Sequence, residues 1–407
     1  MGFMKNVSKE IIPIVFAVND SFAAYCYVAI FSLWKHTSPC YQYEVFIAST
    51  DLSNANQEKL EGLSRDGFHV SIIDATEYIK KSDLREIHHL SVETYFRLFI
   101  PLFLPQYSKV LYLDSDICIM ADVAELYCTD LEGMAVGAVP EVPRKNIVVH
   151  CNEIGISNSK NAFNAGVLLI DTVMFERLEV RKKCLAELEK DYGHKERKMI
   201  YADQDALNIV MQNNVKLLDG RWNYNTCFAR RPHVIFEEYR NDYLNTQNHV
   251  GIAHFCGQDK LWMYPEEELA QEFWKYAKDT PYFYDILSAS LGRSKGLVFE
   301  KYCFPYDAIE HNSRIVIYGA GKVGKVFHQH LEMTHYAEEV MWVDKEWKNV
   351  DAALGVVSPE RIETIDFDYI LLAAEWQEVA EEMREELIGM GISREKIVWK
   401  RYLKMKT

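Results

Sequence analysis

The chain has 407 residues, 49% of them hydrophobic and 26% charged, which is ordinary for a soluble globular protein and predicts two domains. The formal net charge of -15 argues against nucleic-acid binding, which needs cations to replace the counterions of the phosphates. Nine scattered cysteines without a CxxC pair argue against a disulfide framework or a structural zinc site. The N-terminal segment lacks a signal-peptide pattern and no apolar run is long enough to span a membrane. We therefore expect a cytoplasmic protein, with peripheral contact at the inner membrane face as a further hypothesis.

Short apolar runs rich in Val, Ile and Phe alternate with helical patterns in the first half of the chain. The runs lie at 12–18, 43–48, 70–73, 110–113, 135–139 and 166–170. The segment AAYCYVAIFSLWKHT between the first two has the apolar face of an amphipathic helix. This alternation predicts βαβ units and an α/β fold with a mostly parallel sheet.

Two further segments follow this first domain. Residues 271–313 are dense in aromatic side chains and have no strand period, so we predict helices and loops that pack on the first domain. An aromatic segment dotted with lysines could also contact a membrane surface. From residue 314 a strand, a glycine turn and a helix start a second α/β pattern. The predicted domains are therefore 1–270, an extension at 271–313, and a small Rossmann-like domain at 314–407.

Polar residues follow two of the predicted strands directly. Asn19 and Asp20 come after the first strand, where they could hydrogen-bond a base or ribose or simply form a turn. The tripeptide Asp114-Ser115-Asp116 follows the fourth strand. Its two carboxylates suit Mg²⁺ or Mn²⁺, and such an ion would let an acidic protein hold a diphosphate. A solvated turn is the alternative interpretation.

Two motifs place small or polar residues beside predicted elements. In FNAGVLLID, Asn164 and Ala165 precede an apolar strand, where small residues allow a ligand close to the backbone. In YADQDALN, Asp203, Gln204 and Asp205 open a helix. Because aspartate also caps helices, at least one of these residues is open to a purely structural interpretation.

The motif IAHFCGQDKLW contains a histidine at the end of a short apolar run. His254 is followed closely by Gly257 and Lys260. A histidine can bind a metal and a lysine can bind a phosphate, whereas a lone histidine is more often a core residue.

The order of these motifs resembles glycosyltransferase family 8, the retaining enzymes that include glycogenin and bacterial lipopolysaccharide galactosyl- and glucosyltransferases. The resemblance covers about residues 11–265 through FAVNDSFAAY, HLSVETYFRLFIP, KVLYLDSDI, FNAGVLLID, DQDALN, GRWNYN and HFCGQDKLW. It implies a GT-A fold, a nucleotide-sugar donor and a divalent metal that is usually Mn²⁺.

The resemblance also implies roles for individual residues. The metal ligands would be Asp114, Asp116 and His254, and imidazole among the ligands favours Mn²⁺ over Mg²⁺. Gln204 would lie near the anomeric carbon, with Asp203 as a competing candidate for direct attack. The residues that bind the UDP-sugar would be Ala17, Asn19, Asp20, Arg97, Ser115, Asn164, Ala165, Gly257 and Lys260.

The C-terminal domain carries a dinucleotide-binding fingerprint. Gly319, Gly321 and Gly324 form GxGxxG between a strand and a helix, and Asp344 ends the next strand. This arrangement is typical of a pyrophosphate bound at a helix N-terminus with the aspartate on a ribose hydroxyl. One hypothesis is that this site binds NAD or another nucleotide. The other is that the glycines serve only packing or oligomerisation.

These patterns together predict a retaining transferase that moves glucose or galactose from a UDP-sugar to a glycan or glycolipid in cell-surface polysaccharide or lipopolysaccharide synthesis. One alternative is a catalytically inactive nucleotide-sugar-binding scaffold. The other is an NAD-dependent sugar oxidoreductase that works through the C-terminal domain. A homo-oligomer is a further hypothesis.

Overall fold

The computed structural model describes residues 9–80, 92–193, 199–212, 214–229, 231–257, 260, 269–293, 302, 304–306 and 308–400. The chain divides into two compact units, residues 1–259 and residues 260–407. None of the helices in the described part of the chain is both long enough and apolar enough to cross a membrane.

The first unit alternates strands and helices as the sequence predicts. Its elements are β1 Glu10–Ala17, α1 Ala23–Lys35, β2 Tyr41–Ser49, α2 Asn54–Glu61, β3 Phe68–Asp74, α3 Thr76–Lys80, α4 Ile100–Phe103, β4 Lys109–Leu113, β5 Ile117–Ile119, α5 Ala124–Tyr127, β6 Val136–Pro140, α6 Lys145–Glu153, β7 Phe163–Asp171, α7 Thr172–Arg177, α8 Val180–Gly193, α9 Ala202–Met211, β8 Val215–Leu217, β9 Tyr224–Asn225, α10 Glu237–Thr246 and β10 Ile252–His254.

The main sheet of this unit has the order β3-β2-β1-β4-β7-β6-β8 among the described residues. Strand β7 runs antiparallel to both of its neighbours, and the other pairings are parallel. The runs in β1 and β4 are apolar on both faces because helices cover both sides of the sheet, and their side chains divide between two buried clusters. The predicted α/β fold with a mostly parallel sheet is therefore confirmed.

A second, smaller sheet brings distant segments together at the carboxyl end of β4. Strand β10 pairs antiparallel with β5, which places His254 opposite Ile117, and it pairs parallel with β9. The backbone N–H of Phe255 donates to the carbonyl of Asp116 at 3.0 Å. This pairing fixes the histidine beside the aspartate tripeptide although they are far apart in sequence.

The second unit contains a sheet of the order β12-β11-β13-β14, and all of its pairings are parallel. The predicted second α/β domain is therefore present. The elements described in this unit are α11 Ala270–Ala277, α12 Phe283–Arg293, β11 Arg314–Tyr318, α13 Lys322–Thr334, β12 Glu338–Val343, β13 Tyr369–Leu372, α14 Gln377–Gly389 and β14 Ile397–Val398.

The aromatic segment forms helices α11 and α12, as predicted, and parts of it lie outside the described residues. Its described rings pack within the second unit. The ring centroids of Phe304 and Phe327 are 5.8 Å apart, and those of Tyr306 and Tyr336 are 4.9 Å apart. The expectation that this segment packs on the first domain stays a prediction, as do the exact domain boundaries.

Candidate metal and donor site

Three side chains of the kinds that bind metals converge at the carboxyl end of β4. His254 Nε2 lies 3.2 Å from Asp116 Oδ1 and 3.7 Å from Asp114 Oδ2. One ligand atom of each residue falls within 4.8 Å of the other two, a spacing that a single cation can bridge. The histidine side chain is 2% exposed and the aspartates are 23% and 11% exposed, so an ion here would stay open to a ligand on the aspartate side.

A chain of hydrogen bonds orients the ring of His254. The backbone N–H of Gly166 donates to Asn164 Oδ1 at 2.9 Å, which identifies that atom as the amide oxygen. Asn223 Nδ2 donates to the same oxygen at 2.8 Å, so Asn223 Oδ1 faces His254 Nδ1, also at 2.8 Å. Nδ1 therefore donates to the Asn223 oxygen, and the ring turns its Nε2 towards the two carboxylates. One imidazole nitrogen and two carboxylate oxygens gathered in this way form a donor set that suits a divalent cation.

Glycine at position 166 makes room for this group. A Cβ built at Gly166 would overlap the His254 ring and would lie 2.8 Å from Asp114 Oδ2. The backbone carbonyl of Gly166 accepts from the Asp114 N–H at 2.8 Å, so strand β7 packs directly against the residues proposed to bind the metal. Only glycine fits here without displacing the histidine or the aspartate.

A buried arginine anchors the aspartate side of the site. Arg97 Nη2 lies 3.1 Å from Asp114 Oδ1, and its Nε lies 2.8 Å from Asp203 Oδ2. Its Nη1 donates to the carbonyl of Ala165, and its guanidinium lies 4.6 Å from the Tyr112 ring centre. Burial acts to lower the pKa of Arg97, but the charges of Asp114 and Asp203 raise it above its usual value. The guanidinium therefore stays charged and holds both carboxylates in place.

Asp203 is enclosed rather than presented to the site. Its Oδ1 accepts from the Thr94 hydroxyl at 2.7 Å while its Oδ2 pairs with Arg97. Burial raises the pKa of Asp203 to about 6, against the opposing attraction of Arg97 and the hydrogen bond from Thr94.

Gln204 is held in a different way from its neighbour. Its Oε1 accepts from the Ala165 N–H at 3.0 Å, and its Nε2 donates to Glu141 Oε1 at 3.3 Å. Asn164 Nδ2 lies 3.5 Å from the same Glu141 oxygen, whose carboxylate also accepts from Arg144 at 2.8 Å. These bonds place Gln204, Asn164 and Ala165 in one cluster next to the metal-ligating side chains.

The residues after β1 are tied into local structure. Asn19 Oδ1 caps the following turn by accepting from Phe22 N–H, and its Nδ2 lies 3.4 Å from a Glu93 oxygen. Asp20 Oδ1 accepts from the N–H of Ser53 at 2.8 Å, and hydrogen bonds led by this one lower the pKa of Asp20. Their predicted contacts with a nucleotide base stay predictions.

The structure describes four other residues that are predicted to bind the donor. Ala17 ends β1 and is 9% exposed, Ser115 is half-buried between the two aspartates, and Gly257 has a positive φ of 88°. Lys260 begins the second unit, and the rest of its HFCGQDKLW motif lies partly outside the described residues. Their roles in binding the UDP-sugar stay predictions.

A sequence model described as "Glycosyl transferase family 8" matches residues 13–266, which is more than half of the chain. The chain belongs to glycosyl transferase family 8. A second model, described as "C2185-like, N-terminal", matches residues 311–398. The family predicted from the ordered motifs is therefore confirmed, together with a separate C-terminal domain.

Relatives of this family 8 chain include known transferases. It is 22% identical to General stress protein A of Bacillus subtilis over 62% of this chain and 88% of that protein. It is 24% identical to the lipopolysaccharide 1,3-galactosyltransferase of Salmonella typhimurium over 61% of this chain and 72% of the relative. Among solved structures, the galactosyltransferase LgtC, in complex with donor and acceptor sugar analogues, matches with a TM-score of 0.55 and 27% identity, covering 66% of this chain and 96% of its own. The predicted GT-A fold is thus confirmed, and the chain is a glycosyltransferase by family.

The glycine fingerprint of the second unit has structural partners of its own. Gly319 has a positive φ of 116°, and a Cβ at Gly324 would overlap the Gly319 carbonyl. Asp344 Oδ2 accepts from the Ala320 N–H at 2.6 Å, and its Oδ1 accepts from the Glu346 N–H at 2.7 Å. The aspartate thus closes the glycine loop onto the end of β12.

The third glycine of this fingerprint differs from the other two. Gly321 is exposed, and a Cβ there would meet open space. A nucleotide at the loop stays a prediction.

Sequence reasoning did not find two residues that shape this candidate site. Asn223 lies in the GRWNYN motif, but its bond to His254 joins residues 31 positions apart. Glu141, which gathers Gln204 and Asn164, has no motif around it that would signal a role. Asp205, by contrast, is the structural member of its motif, since it accepts from the Tyr201 N–H and lies 2.9 Å from a His150 nitrogen.

Proposed function

We propose that this chain is a retaining, Mn²⁺-dependent hexosyltransferase that moves glucose or galactose from a UDP-sugar to a glycan acceptor in cell-surface polysaccharide or lipopolysaccharide synthesis. The observation that carries the proposal is the group of Asp114, Asp116 and His254, with Nε2 of the histidine facing both carboxylates. Two carboxylate oxygens and one imidazole nitrogen suit Mn²⁺ better than Mg²⁺, which prefers oxygen ligands alone.

In this proposal Asp114, Asp116 and His254 would hold the ion. When bound, the ion would supply positive charge next to the diphosphate of the donor, where negative charge develops as UDP departs. The chain contributes preorganisation, since Arg97 fixes Asp114 and Asn223 fixes the histidine. His254 ends β10, and the two aspartates lie in the bend between β4 and β5, so little reorganisation is needed at the moment of reaction.

The two catalytic candidates have unequal surroundings. Asp203 is 2% exposed and its oxygens face Thr94 and Arg97, which favours a role in positioning Arg97. Gln204 is half-buried and its amide is oriented by Ala165 and Glu141. An amide oxygen is a weak nucleophile, so we infer that Gln204 stabilises an oxocarbenium-like state while the departing UDP acts as the base.

The identity of the donor and acceptor is inferred from relatives. The Salmonella relative is named for galactose transfer in lipopolysaccharide, and LgtC is titled a galactosyltransferase. UDP-galactose and UDP-glucose are therefore the donors to test first.

The proposal is tested by UDP release from both donors with the full chain. We expect release with Mn²⁺, no release with EDTA, and recovery when Mn²⁺ is added back. A Gln204→Ala variant should lose turnover while keeping its affinity for UDP. Absence of release from any UDP-hexose, with or without glycan acceptors, would favour the inactive scaffold, and reduction of NAD by a free sugar would favour the oxidoreductase.

A further inference from the structure

A cavity of about 610 Å³ lies in the first unit between the start of α6 and the segment that leads into α10. Its walls are held together, because the backbones of Arg144 and Ile235 form an antiparallel bridge and Phe236 N–H donates to the Pro143 carbonyl at 3.0 Å. The two segments that form the cavity are therefore joined to each other through their backbones. The cavity is large enough for a sugar ring with its substituents.

Four of the eleven residues that line this cavity are Lys or Arg, against one acid, although the whole chain is acidic. Arg144, Lys145, Arg231 and Arg240 line it, and Glu237 is the acid among the lining residues. Such a concentration of one charge in a concave surface raises the local concentration of ligands of opposite charge. The guanidinium of Arg231 donates to the Cys227 carbonyl, and that of Arg240 donates to the Pro232 and Ile235 carbonyls. These bonds hold the two cations in the cavity wall, where their charge attracts an anion.

One cation links this cavity to the proposed catalytic cluster. Arg144 donates to Glu141 Oε2 at 2.8 Å, and Gln204 donates to Glu141 Oε1 at 3.3 Å. A single carboxylate therefore separates the cavity wall from Gln204. The guanidinium of Arg144 also lies 4.5 Å from the Phe228 ring centre, which gives the cavity an apolar surface next to its charges.

We infer that this cavity binds the acceptor and selects glycans that carry a negatively charged group, either a phosphate or a carboxylate. The inference rests on the proposed function and adds the chemical class of the acceptor. The charged group would contact Lys145, Arg231 and Arg240, while Phe228 would pack on a sugar face. The neighbouring sugar hydroxyl would then lie on the Gln204 side, where the donor sugar is transferred.

The test compares three matched sugars: galactose, galactose 6-phosphate and galacturonic acid. Binding to the full chain is measured by calorimetry with UDP and Mn²⁺ at saturation, so that the donor pocket is filled. We expect at least one acidic sugar to bind about 10-fold tighter than galactose, with affinity falling as NaCl is raised. The phosphate and carboxylate arms tell which group the cavity prefers.

Two matched double variants separate an effect of the cavity residues from an effect of the protein's net charge. Lys145→Glu with Arg231→Glu should abolish the preference for acidic sugars. The control is Lys59→Glu with Lys183→Glu, which makes the same charge change at exposed lysines of α2 and α8. This control variant should keep the preference for acidic sugars. Equal affinity for all three sugars in the wild-type chain would overturn the inference, and so would a preference that survives the cavity variant.

UDP release measured in parallel distinguishes this inference from the proposed function. Release without any preference for acidic sugars would overturn the inference and leave the transferase standing. A preference that the cavity variant abolishes, in a chain that releases no UDP, would support the cavity and overturn the transferase.

Discussion

In both units an aspartate follows a strand of the main sheet directly, Asp114 after β4 and Asp344 after β12, but the two aspartates have different surroundings. In the first unit, Asp114 and Asp116 lie beside Nε2 of a histidine, and one oxygen of Asp114 also pairs with Arg97. In the second unit, both oxygens of Asp344 accept backbone N–H groups of neighbouring turns. An acid whose oxygens are taken up by the backbone stabilises a loop, whereas acids grouped with an imidazole offer a donor set that suits a cation.

Removing the charge of one proposed metal-binding carboxylate should have the largest effect on activity. We expect Asp116→Asn to lower Mn²⁺-dependent UDP release by about 10³-fold, because the ion loses a carboxylate of its coordination shell. Steady-state UDP release over a range of Mn²⁺ concentrations measures this. Asp66→Asn, at an exposed position outside the site, is the control. Activity within about 3-fold of wild type would remove Asp116 from the metal site.

Adding a methyl group at position 166 should have the second-largest effect on activity. Gly166→Ala is expected to lower turnover about 100-fold, because the new methyl group displaces the His254 ring. It should also destabilise the first unit by about 1–3 kcal/mol in urea unfolding. Gly389→Ala, where a Cβ meets open space, should change neither. Wild-type turnover in Gly166→Ala would mean that the ring is not held where the structure has it.

The hydrogen bond behind the histidine should matter less than the ligands. Asn223→Ala is expected to weaken Mn²⁺ binding by about 10–100-fold, and excess Mn²⁺ should restore turnover. Titration of activity with Mn²⁺ separates this from a folding defect, which added metal would not correct. Asn225→Ala, which removes the cap on Cys227 N–H, should keep wild-type Mn²⁺ affinity. A turnover defect that Mn²⁺ does not rescue would argue that Asn223 does not act by positioning His254.

The smallest expected effect is in the second unit. Asp344→Ala should lower the unfolding free energy of this unit by about 1–3 kcal/mol, because two backbone N–H groups lose their acceptor. Urea unfolding followed by hydrogen exchange of the Ala320 amide measures it, with the exposed Asp366→Ala as control. Unchanged stability combined with lost NAD binding would instead support the ribose role of Asp344.

The sequence predicted the architecture well because the long strands carry clear apolar runs. It also predicted that Asp114, Asp116 and His254 meet, through the order of the motifs. It missed β5, β9 and β10, which have only two or three residues each and are too short to show a period. The pairing of these short strands places the histidine, and it depends on contacts between segments that are distant in sequence.

Local patterns also could not show which polar residues serve one another. Asn223 and Glu141 act on His254 and Gln204 through single side-chain hydrogen bonds across long sequence separations. Such bonds leave no periodic trace, whereas the folded sheet brings their donors and acceptors together. Side-chain networks were therefore the part of the site that required three-dimensional structure.

The pairing of β5 with β10 has a thermodynamic consequence. A cation held by Asp116 and His254 would join two points of the chain that enclose most of the first unit, so it would act as a reversible cross-link. Such a site forms only after this long loop has closed, so the metal would bind the folded first unit and not the unfolded chain. At a metal concentration of 100 times the dissociation constant, this binding would stabilise the folded unit by about 2.7 kcal/mol. Metal supply would then set how long the enzyme persists as well as how fast it turns over.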